Sequence, residues 1–472
     1  MRALYFTLAA MTACGYHLPA WNGKVHVTPL ERKAIKQCGD GALTLAGTKR
    51  VTREPYLQST TTSSALVAWG SRDARGEVVL TEPGGKVIER APARYVGERE
   101  KEPHRRWAQR TEQPVAADDI YVVAASLIHL EPTHLYCYQL FVDGVALTAP
   151  APMTSAAAPG LDEPIRFVAL GDSGTGGLAE HAIADRMSES PFDFMLFLGD
   201  IAYASGKPGE LNGNFFAVYK QLLRYVPAYP TIGNHERLTH RGRPYFEAFV
   251  LPDAERYYSF NWGDVHFVAI DTTLRDSKQL RWLDEGLRNN KLPWVIVYGH
   301  HPMYTNSLRG AQLSIRKAFS KIFTAHHVDL VLTGHEHQYE RFRVGGVNYV
   351  VSGGGGGRLT RFFGHSMALK QATVHHYLAF EVSAKALTMR AIDINGQEIE
   401  SLKLDKQPAG DTKVKVNGKP DPRVTPVPPE QDVKPDEQLH DKPDDDVHKN
   451  EVPPPAQEPT PVEVKSTTSA SR

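Results

Sequence analysis

The chain has 472 residues, with 54 Lys+Arg against 54 Asp+Glu and a formal net charge of zero at pH 7. At about 100–200 residues per domain, that length holds two ordinary domains plus tails. Without net positive charge there is no global field to hold a polyanion, which excludes a nucleic-acid scaffold as the default role.

Residues 1–14 join one positive charge at Arg2 to an apolar run and small residues ending at Cys14. This is the pattern of a bacterial lipoprotein signal, whose cysteine thiol would take a diacylglycerol and attach the chain to a membrane. A plain signal cleaved nearer Ala20 and a mis-set start are the competing readings. Either signal implies export to the bacterial periplasm, outer membrane or cell surface. No other apolar run reaches the about 18 residues needed to span a bilayer. Residues 15–49 form an N-terminal arm. With Cys14 lipidated or removed, Cys38 and Cys137 remain, either as a bridge from arm to first domain or as two free thiols.

From residue 50 to 155 the pattern is short alternating runs with turns between. Residues 65–69 and 76–80 read as strands, and 135–142 meets Asp143-Gly144 and a returning 145–147, a hairpin signal. Strands at this spacing predict a small antiparallel sandwich. No catalytic residue types cluster there, so its expected role is a packing platform or spacer. Pro150, Pro152 and the small residues 155–160 mark a linker.

From 160 to 405 strand-like and helix-like segments alternate, which predicts a layered α/β domain. Helical spacing marks 180–187, 215–224, 278–287 and 311–323, and short apolar runs mark 167–170, 194–198, 228–232, 265–270, 294–297, 330–332 and 347–351. The late runs 377–382, 386–392 and 399–404 read as antiparallel strands completing a second sheet. Residues 406–472 are dense in Pro, Asp, Glu and Lys and lack aromatics. Such a tail cannot bury enough apolar surface to offset ordering and is expected to be disordered.

Five blocks punctuate the α/β region: Gly171-Asp172-Ser173-Gly174, Gly199-Asp200-Ile201-Ala202-Tyr203, Gly233-Asn234-His235-Glu236, Gly299-His300-His301-Pro302 and Gly334-His335-Glu336-His337. Most follow an apolar run, so the glycine turns the chain at a strand's carboxyl end and the next residue points into the crevice. Asp, Asn, His and Tyr are the ligands that hard and borderline cations take. Asp200 is the candidate bridge between two cations, with Asp172, Tyr203 and His337 completing one side and Asn234, His300 and His335 the other. Singly, each has an ordinary explanation as turn former, core aromatic or helix cap. Unrelated core needs would not place nearly all of them beside strand-ending glycines.

The order G-D-x-G, G-D-x-x-Y, G-N-H-E, G-H-x-P, G-H-x-H resembles the metallophosphoesterase superfamily, and Tyr203 is similar to the purple acid phosphatase branch. The preceding region, with Glu54-Pro55-Tyr56-Leu57-Gln58 at its start, resembles the fibronectin type III-like domain that branch often carries. The resemblance implies a four-layer α/β/β/α catalytic domain after an all-β sandwich. It implies a ferric ion at Asp172, Asp200, Tyr203 and His337, and a divalent zinc, iron or manganese ion at Asp200, Asn234, His300 and His335. His235 is then the imidazole beside the scissile ester, and a metal-bound hydroxide attacks phosphorus in line. The better-known plant members carry a histidine pair shortly after the H-x-P block. Here residues 303–309 have none, so His235 is the remaining imidazole acid and Arg309 a candidate phosphate contact; the ordinary account of Arg309 is a solvated loop residue.

His301, adjacent to His300, is expected to point the other way, and so to pack or to support a neighbouring ligand instead of binding a cation itself. Glu236, Glu336 and Arg341 are expected to orient neighbouring ligands, and His266, His326 and His327 to pack or sit on the surface. The run Ser352 to Gly357 lacks the Lys-Ser/Thr of a phosphate-binding loop and reads as backbone passing close to the cations. The leading function is an exported hydrolase of small phosphomonoesters, an acid phosphatase with no obligate protein partner. A phosphodiesterase or nucleotidase on the same cations is the alternative, and a surface-anchored binding protein is the non-enzymatic one.

Overall fold

The computed structural model describes residues 27–96, 121–252, 256–274, 276–364, 366–406 and 412–420. The signal expected at 1–14, with Cys14, and the tail from 421 on lie outside the described residues.

The first domain is all β. Strands Val51–Gln58, Ser64–Ser71 and Tyr121–Ile128 pair antiparallel in that order. Val87–Tyr95, Arg75–Thr81, Leu135–Val142 and Val145–Ala146 continue the sheet, and Ala151–Thr154 also pairs with Leu135–Val142. The two groups meet where Arg94 and Tyr95 pair with Ala124 and Val123. The sheet folds over on itself there: a Cβ on Gly76 would lie 2.8 Å from the buried Trp69 ring, although their strands are not paired. The expected hairpin closes at Asp143-Gly144, with Val142 opposite Val145.

Ahead of it, helix Pro29–Cys38 starts with Pro29 in its first turn and the Thr28 hydroxyl accepting from the Glu31 N–H. Its last residue, Cys38, forms a disulfide with Cys137 at a Cα separation of 5.3 Å.

Two sheets make the second domain. One runs Ala228–Pro230, Phe194–Phe197, Ile165–Leu170, His376–Val382, Ala386–Asp393, Glu398–Lys406, Thr412–Val416, Lys419–Pro420; the other runs Tyr258–Trp262, Val265–Ala269, Trp294–Tyr298, Leu330–Thr333, Val347–Ser352, Tyr339–Val344, Lys370–Ala372. Alternation along the strands sets the layers. Trp294, Ile296, Tyr298, Leu330 and Leu332 belong to the core between the sheets. Val295, Val297 and Val331 face the other way, onto Leu283 and Leu287 of helix Ser277–Asn289 and Ile315, Phe319 and Phe323 of helix Leu313–Ala325. On the far sheet Phe194 packs edge-on against Phe267, 5.2 Å away across the interface, while Phe197 faces Phe215 and Tyr219 in the outer helical layer. The order is therefore helix, sheet, sheet, helix.

The late strands are antiparallel and complete one of the two sheets, His376–Val382 joining it beside Ile165–Leu170. One expectation is corrected: the tail does not leave the fold at 406, because Thr412–Val416 pairs with the preceding strand, Leu402 opposite Val416. Among the described residues no helix is long and apolar enough to cross a membrane.

Candidate metal centre

Ile165–Leu170, Phe194–Phe197 and Ala228–Pro230 run parallel, as do Val265–Ala269, Trp294–Tyr298 and Leu330–Thr333. The carboxyl ends of both sets converge, the first delivering Asp172, Asp200 and Asn234 and the second His300, His335 and His337. Asp172, Asp200 and His335 have φ of 57°, 53° and 68°, in the left-handed region that non-glycine residues rarely enter. The glycines before Asp200, Asn234 and His335 are required by crowding. A Cβ on Gly199 would lie 2.5 Å from His300 Nδ1, on Gly233 2.1 Å from Asp200 Oδ1, and on Gly334 2.5 Å from Asp172 Oδ2.

All seven predicted ligands come together in two groups. In one, the Tyr203 hydroxyl lies 3.1 Å from Asp172 Oδ1, 3.4 Å from Asp200 Oδ2 and 3.1 Å from His337 Nε2, which is itself 3.3 Å from Asp172 Oδ1. In the other, His300 Nε2 lies 3.1 Å from Asp200 Oδ2 and 2.9 Å from Asn234 Oδ1, with His335 Nδ1 at 3.0 Å from Asn234 Oδ1 and 3.3 Å from His300 Nε2. Asp200 Oδ2 belongs to both. A cation with ligand bonds of about 2.1 Å sets neighbouring donors roughly 3.0–3.4 Å apart, so each group has the dimensions of a coordination shell. Two fully buried carboxylates side by side also need positive charge to offset their burial.

The outer contacts fix these side chains. His300 Nδ1 donates to the Leu198 carbonyl at 2.8 Å and His337 Nδ1 to that of Arg358 at 2.7 Å, which leaves the other ring nitrogen of each for the cluster. Glu236 accepts four backbone N–H groups, from Asp200 (2.9 Å), Ile201 (2.9 Å), Ala202 (3.0 Å) and Gly233 (2.8 Å). The glycine run packs on the cluster as expected: a Cβ on Gly353 would lie 2.6 Å from Asp172 Oδ2, and one on Gly357 2.6 Å from the His337 ring.

Burial works to lower His300, but Asp200 outweighs it and raises the imidazole to about 10. Burial followed by the His301 and His300 charges lowers His335. Burial, then Asp172 and Asp200, keeps the Tyr203 phenol protonated far above its usual range. A phenol, two carboxylates and imidazoles of opposed tendency within a few ångströms are a set that cations resolve.

His301 does not point away. The strand ends at Tyr298, so side-chain alternation no longer applies three residues later, and the His301 ring sits 4.6 Å from that of His335. His300, His301 and His335 form one group able to hold a cation, and Asp172, Asp200 and His300 another. Burial lowers His301 to about 3. Thr272 bonds its Nδ1 at 3.0 Å and accepts from the backbone N–H groups of His300 (3.2 Å) and His301 (2.8 Å). Sequence reasoning missed Thr272, although Asp271-Thr272 also follows an apolar strand; the block lacks the glycine that flagged the rest.

Arg341 pairs in bidentate fashion with Glu400, 2.9 Å on each arm, joining the two sheets instead of orienting a ligand. Glu336 is buried, which pushes its carboxyl up to about 7 against the opposing Arg309 charge. The exposed Arg309 lies near enough for its charge to act on His335 and His337 as well. His266 bonds Asn261 and His326 bonds Asp284, both 2.7 Å and away from the cluster, and His327 is exposed.

Residues 165–339 match the family of calcineurin-like phosphoesterases. Purple acid phosphatase 21 of Arabidopsis thaliana is 30% identical over 223 residues, 41% of this chain and 51% of that protein. An uncharacterized Mycobacterium tuberculosis protein is 29% identical over 272 residues, 47% of this chain and 51% of its own. The chain thus spans about half the length of the curated relatives it matches. Among solved structures, the purple acid phosphatase PPD1 from yellow lupin superposes with a TM-score of 0.65 at 20% identity, covering 75% of this chain and 74% of that one. PhoD does so at 0.56 and 12% identity, over 80% and 94%. Cluster, strand ends and matches coincide in one region, and the chain carries there a calcineurin-like metallophosphoesterase domain with purple acid phosphatases among its relatives and structural neighbours.

Proposed function

We propose that the chain is an exported, purple acid phosphatase-like enzyme hydrolysing small phosphomonoesters at a pair of cations. The observation that carries this is Asp200 Oδ2, shared by two groups of donors of coordination dimensions. In this reading Asp172, Asp200, Tyr203 and His337 hold Fe(3+), and Asp200, Asn234, His300 and His335 hold Zn, Fe or Mn. A bound cation pair supplies a water-derived nucleophile near neutral pH and charge to offset the phosphoryl oxygens.

The chain's own residues do the rest. The His235 Nδ1 bond to the Ala204 carbonyl, 2.5 Å, orients the ring so that Nε2, 3.9 Å from Asp200 Oδ2, is the atom that protonates the departing alkoxide. Asn234 and Arg309 contact the phosphoryl oxygens. The β domain, fibronectin type III-like in this reading, braces the catalytic one. Export is supported by the Cys38–Cys137 disulfide, which persists in oxidising compartments, and membrane attachment would run through Cys14.

Elemental analysis is expected to find two cations per chain, and steady-state assays to favour monoesters over diesters. Asp200→Asn is expected to abolish both binding and turnover. A large diesterase preference transfers the assignment to a phosphodiesterase or nucleotidase, and a chain that binds at most one cation overturns it.

A further inference from the structure

Segment Leu211–Phe216 is a π-turn between the helical stretches Pro208–Glu210 and Ala217–Tyr225. Such widened turns inside helices are rare and concentrate at functional sites. This one lies between the β domain and the metal cluster and bonds to both. Toward the β domain, Asn212 Oδ1 accepts from Arg53 Nε at 2.9 Å and Nη2 at 2.6 Å, and the Arg53 guanidinium lies 3.9 Å from the Phe216 ring centroid. Residues two apart on a helix point roughly 160–200° from each other. Asn214 accordingly faces the cluster, where its amide donates to the Gly174 carbonyl at 3.1 Å and the Tyr203 carbonyl at 2.9 Å.

Those two carbonyls belong to loops that interlock. Gly174 N–H donates to the Asp200 carbonyl at 3.2 Å and Tyr203 N–H to the Gly174 carbonyl at 2.7 Å, and a Cβ on Gly174 would lie 1.9 Å from the Ile201 carbonyl carbon. Asn214 closes the ladder on its outer side. The Tyr203 oxygen is a long lever: with a reach of roughly 6.5 Å from Cα, a backbone rotation of about 10° displaces it by about 1 Å, twice the ~0.5 Å tolerance of a working site. A contact that fixes the Tyr203 backbone therefore sets where its phenol oxygen meets Asp172, Asp200 and His337.

We propose that Asn214 is a positioning residue for Tyr203 and that Arg53 of the β domain holds its turn in place. The β domain thereby tunes the cation site on the Tyr203 side. This rests on the two-cation reading above and assigns a role to the Arg53–Tyr56 stretch beyond spacing. That stretch is anchored for it: the Tyr56 hydroxyl donates to the Ala248 carbonyl at 2.7 Å, and Glu54 pairs with Arg224.

The test is cation affinity, measured for each of the two sites by chelator competition with elemental analysis, in wild type and in Asn214→Ala, Asn212→Ala, Arg53→Met and Tyr203→Phe. Asn214→Ala is expected to weaken one cation at least tenfold and leave the other within threefold, matching Tyr203→Phe; Asn212→Ala and Arg53→Met should shift the same cation by a smaller factor. Folded Asn214→Ala with both affinities unchanged, or both weakened alike, overturns the proposal. Should Asn214→Ala fail to fold, Asn212→Ala decides, and wild-type affinities for both cations in it overturn the proposal equally. Wild type itself binding fewer than two cations is the separate failure of the two-cation reading.

Discussion

Glu236→Gln tests how the cage is built. The carboxylate has two acceptors on each oxygen: Oε2 takes the N–H groups of Asp200 and Gly233, and Oε1 those of Ile201 and Ala202. A glutamine, whichever way it is turned, sets an NH2 against two of these N–H donors. Each buried donor left without an acceptor costs about 1–3 kcal/mol, so the expected loss of folding stability is about 2–6 kcal/mol. Either orientation disturbs the loop carrying Asp200, and because that side chain is shared, both cations should weaken together. Urea unfolding in chelator isolates the stability effect from cation binding, and titration against a chromophoric chelator reads the second. Burial and then the Asp200 charge push the Glu236 carboxyl up, against the pull of the N–H groups, so both measurements belong at alkaline pH, where wild type is the anion. A variant within about 0.5 kcal/mol of wild type, the size of an ordinary surface substitution, and with unchanged cation affinity refutes this account of the cage.

Tyr203→Phe should bleach the oxidised, iron-loaded protein, since the phenolate is the proposed ferric ligand; a colourless wild type, active with zinc or manganese alone, rejects the ferric assignment. Cys38→Ser is expected to cost about 2–5 kcal/mol in denaturant unfolding, because the bridge closes a long loop between residues 99 apart in sequence, and an unchanged midpoint would argue against it. Burial lowers the imidazole of His376 to about 4, and the ring bonds the Val374 carbonyl and Ser352. The unfolded chain takes up this proton first, near pH 6.5, so stability is full above that value and falls as the pH drops toward 4. The loss is about 2 kcal/mol at pH 5; His376→Asn should flatten that slope in unfolding curves, and an equal slope in the variant refutes the assignment.

The cluster was legible because its grammar is local. A glycine after an apolar strand and then a ligand is written within a few residues, and the glycines are forced by the side chains they would strike. Sheet membership is written nowhere locally: residues 377–382 read as a strand, yet nothing in them names Ile165–Leu170 as the neighbour. His301 was misread because a period of two was carried past the strand end. Thr412–Val416 has the alternation of a strand, and the surrounding Pro and charge concealed it. The π-turn and the four-fold grip of Glu236 are shifts in hydrogen bonding that leave no compositional mark.

The left-handed backbones at Asp172, Asp200 and His335 would each cost about 1–3 kcal/mol unless the surroundings imposed them. They are imposed by the cage itself. Asp172 N–H donates to the Gly199 carbonyl at 3.0 Å, Asp200 N–H to Glu236, and His335 N–H to Asp172 Oδ2 at 2.7 Å. Each aspartate thus divides its oxygens. Asp172 Oδ2 and Asp200 Oδ1 accept backbone N–H groups, the latter from His235 at 3.0 Å, while Asp172 Oδ1 and Asp200 Oδ2 face the cluster. A histidine or tyrosine cannot do both. Asparagine at 200 could keep the backbone bond only by turning its NH2 inward, where two groups of donors need one shared lone-pair-bearing oxygen. In the two-cation reading the bridge therefore has to be a carboxylate, and the left-handed turn is what lets its second oxygen reach the neighbouring loop.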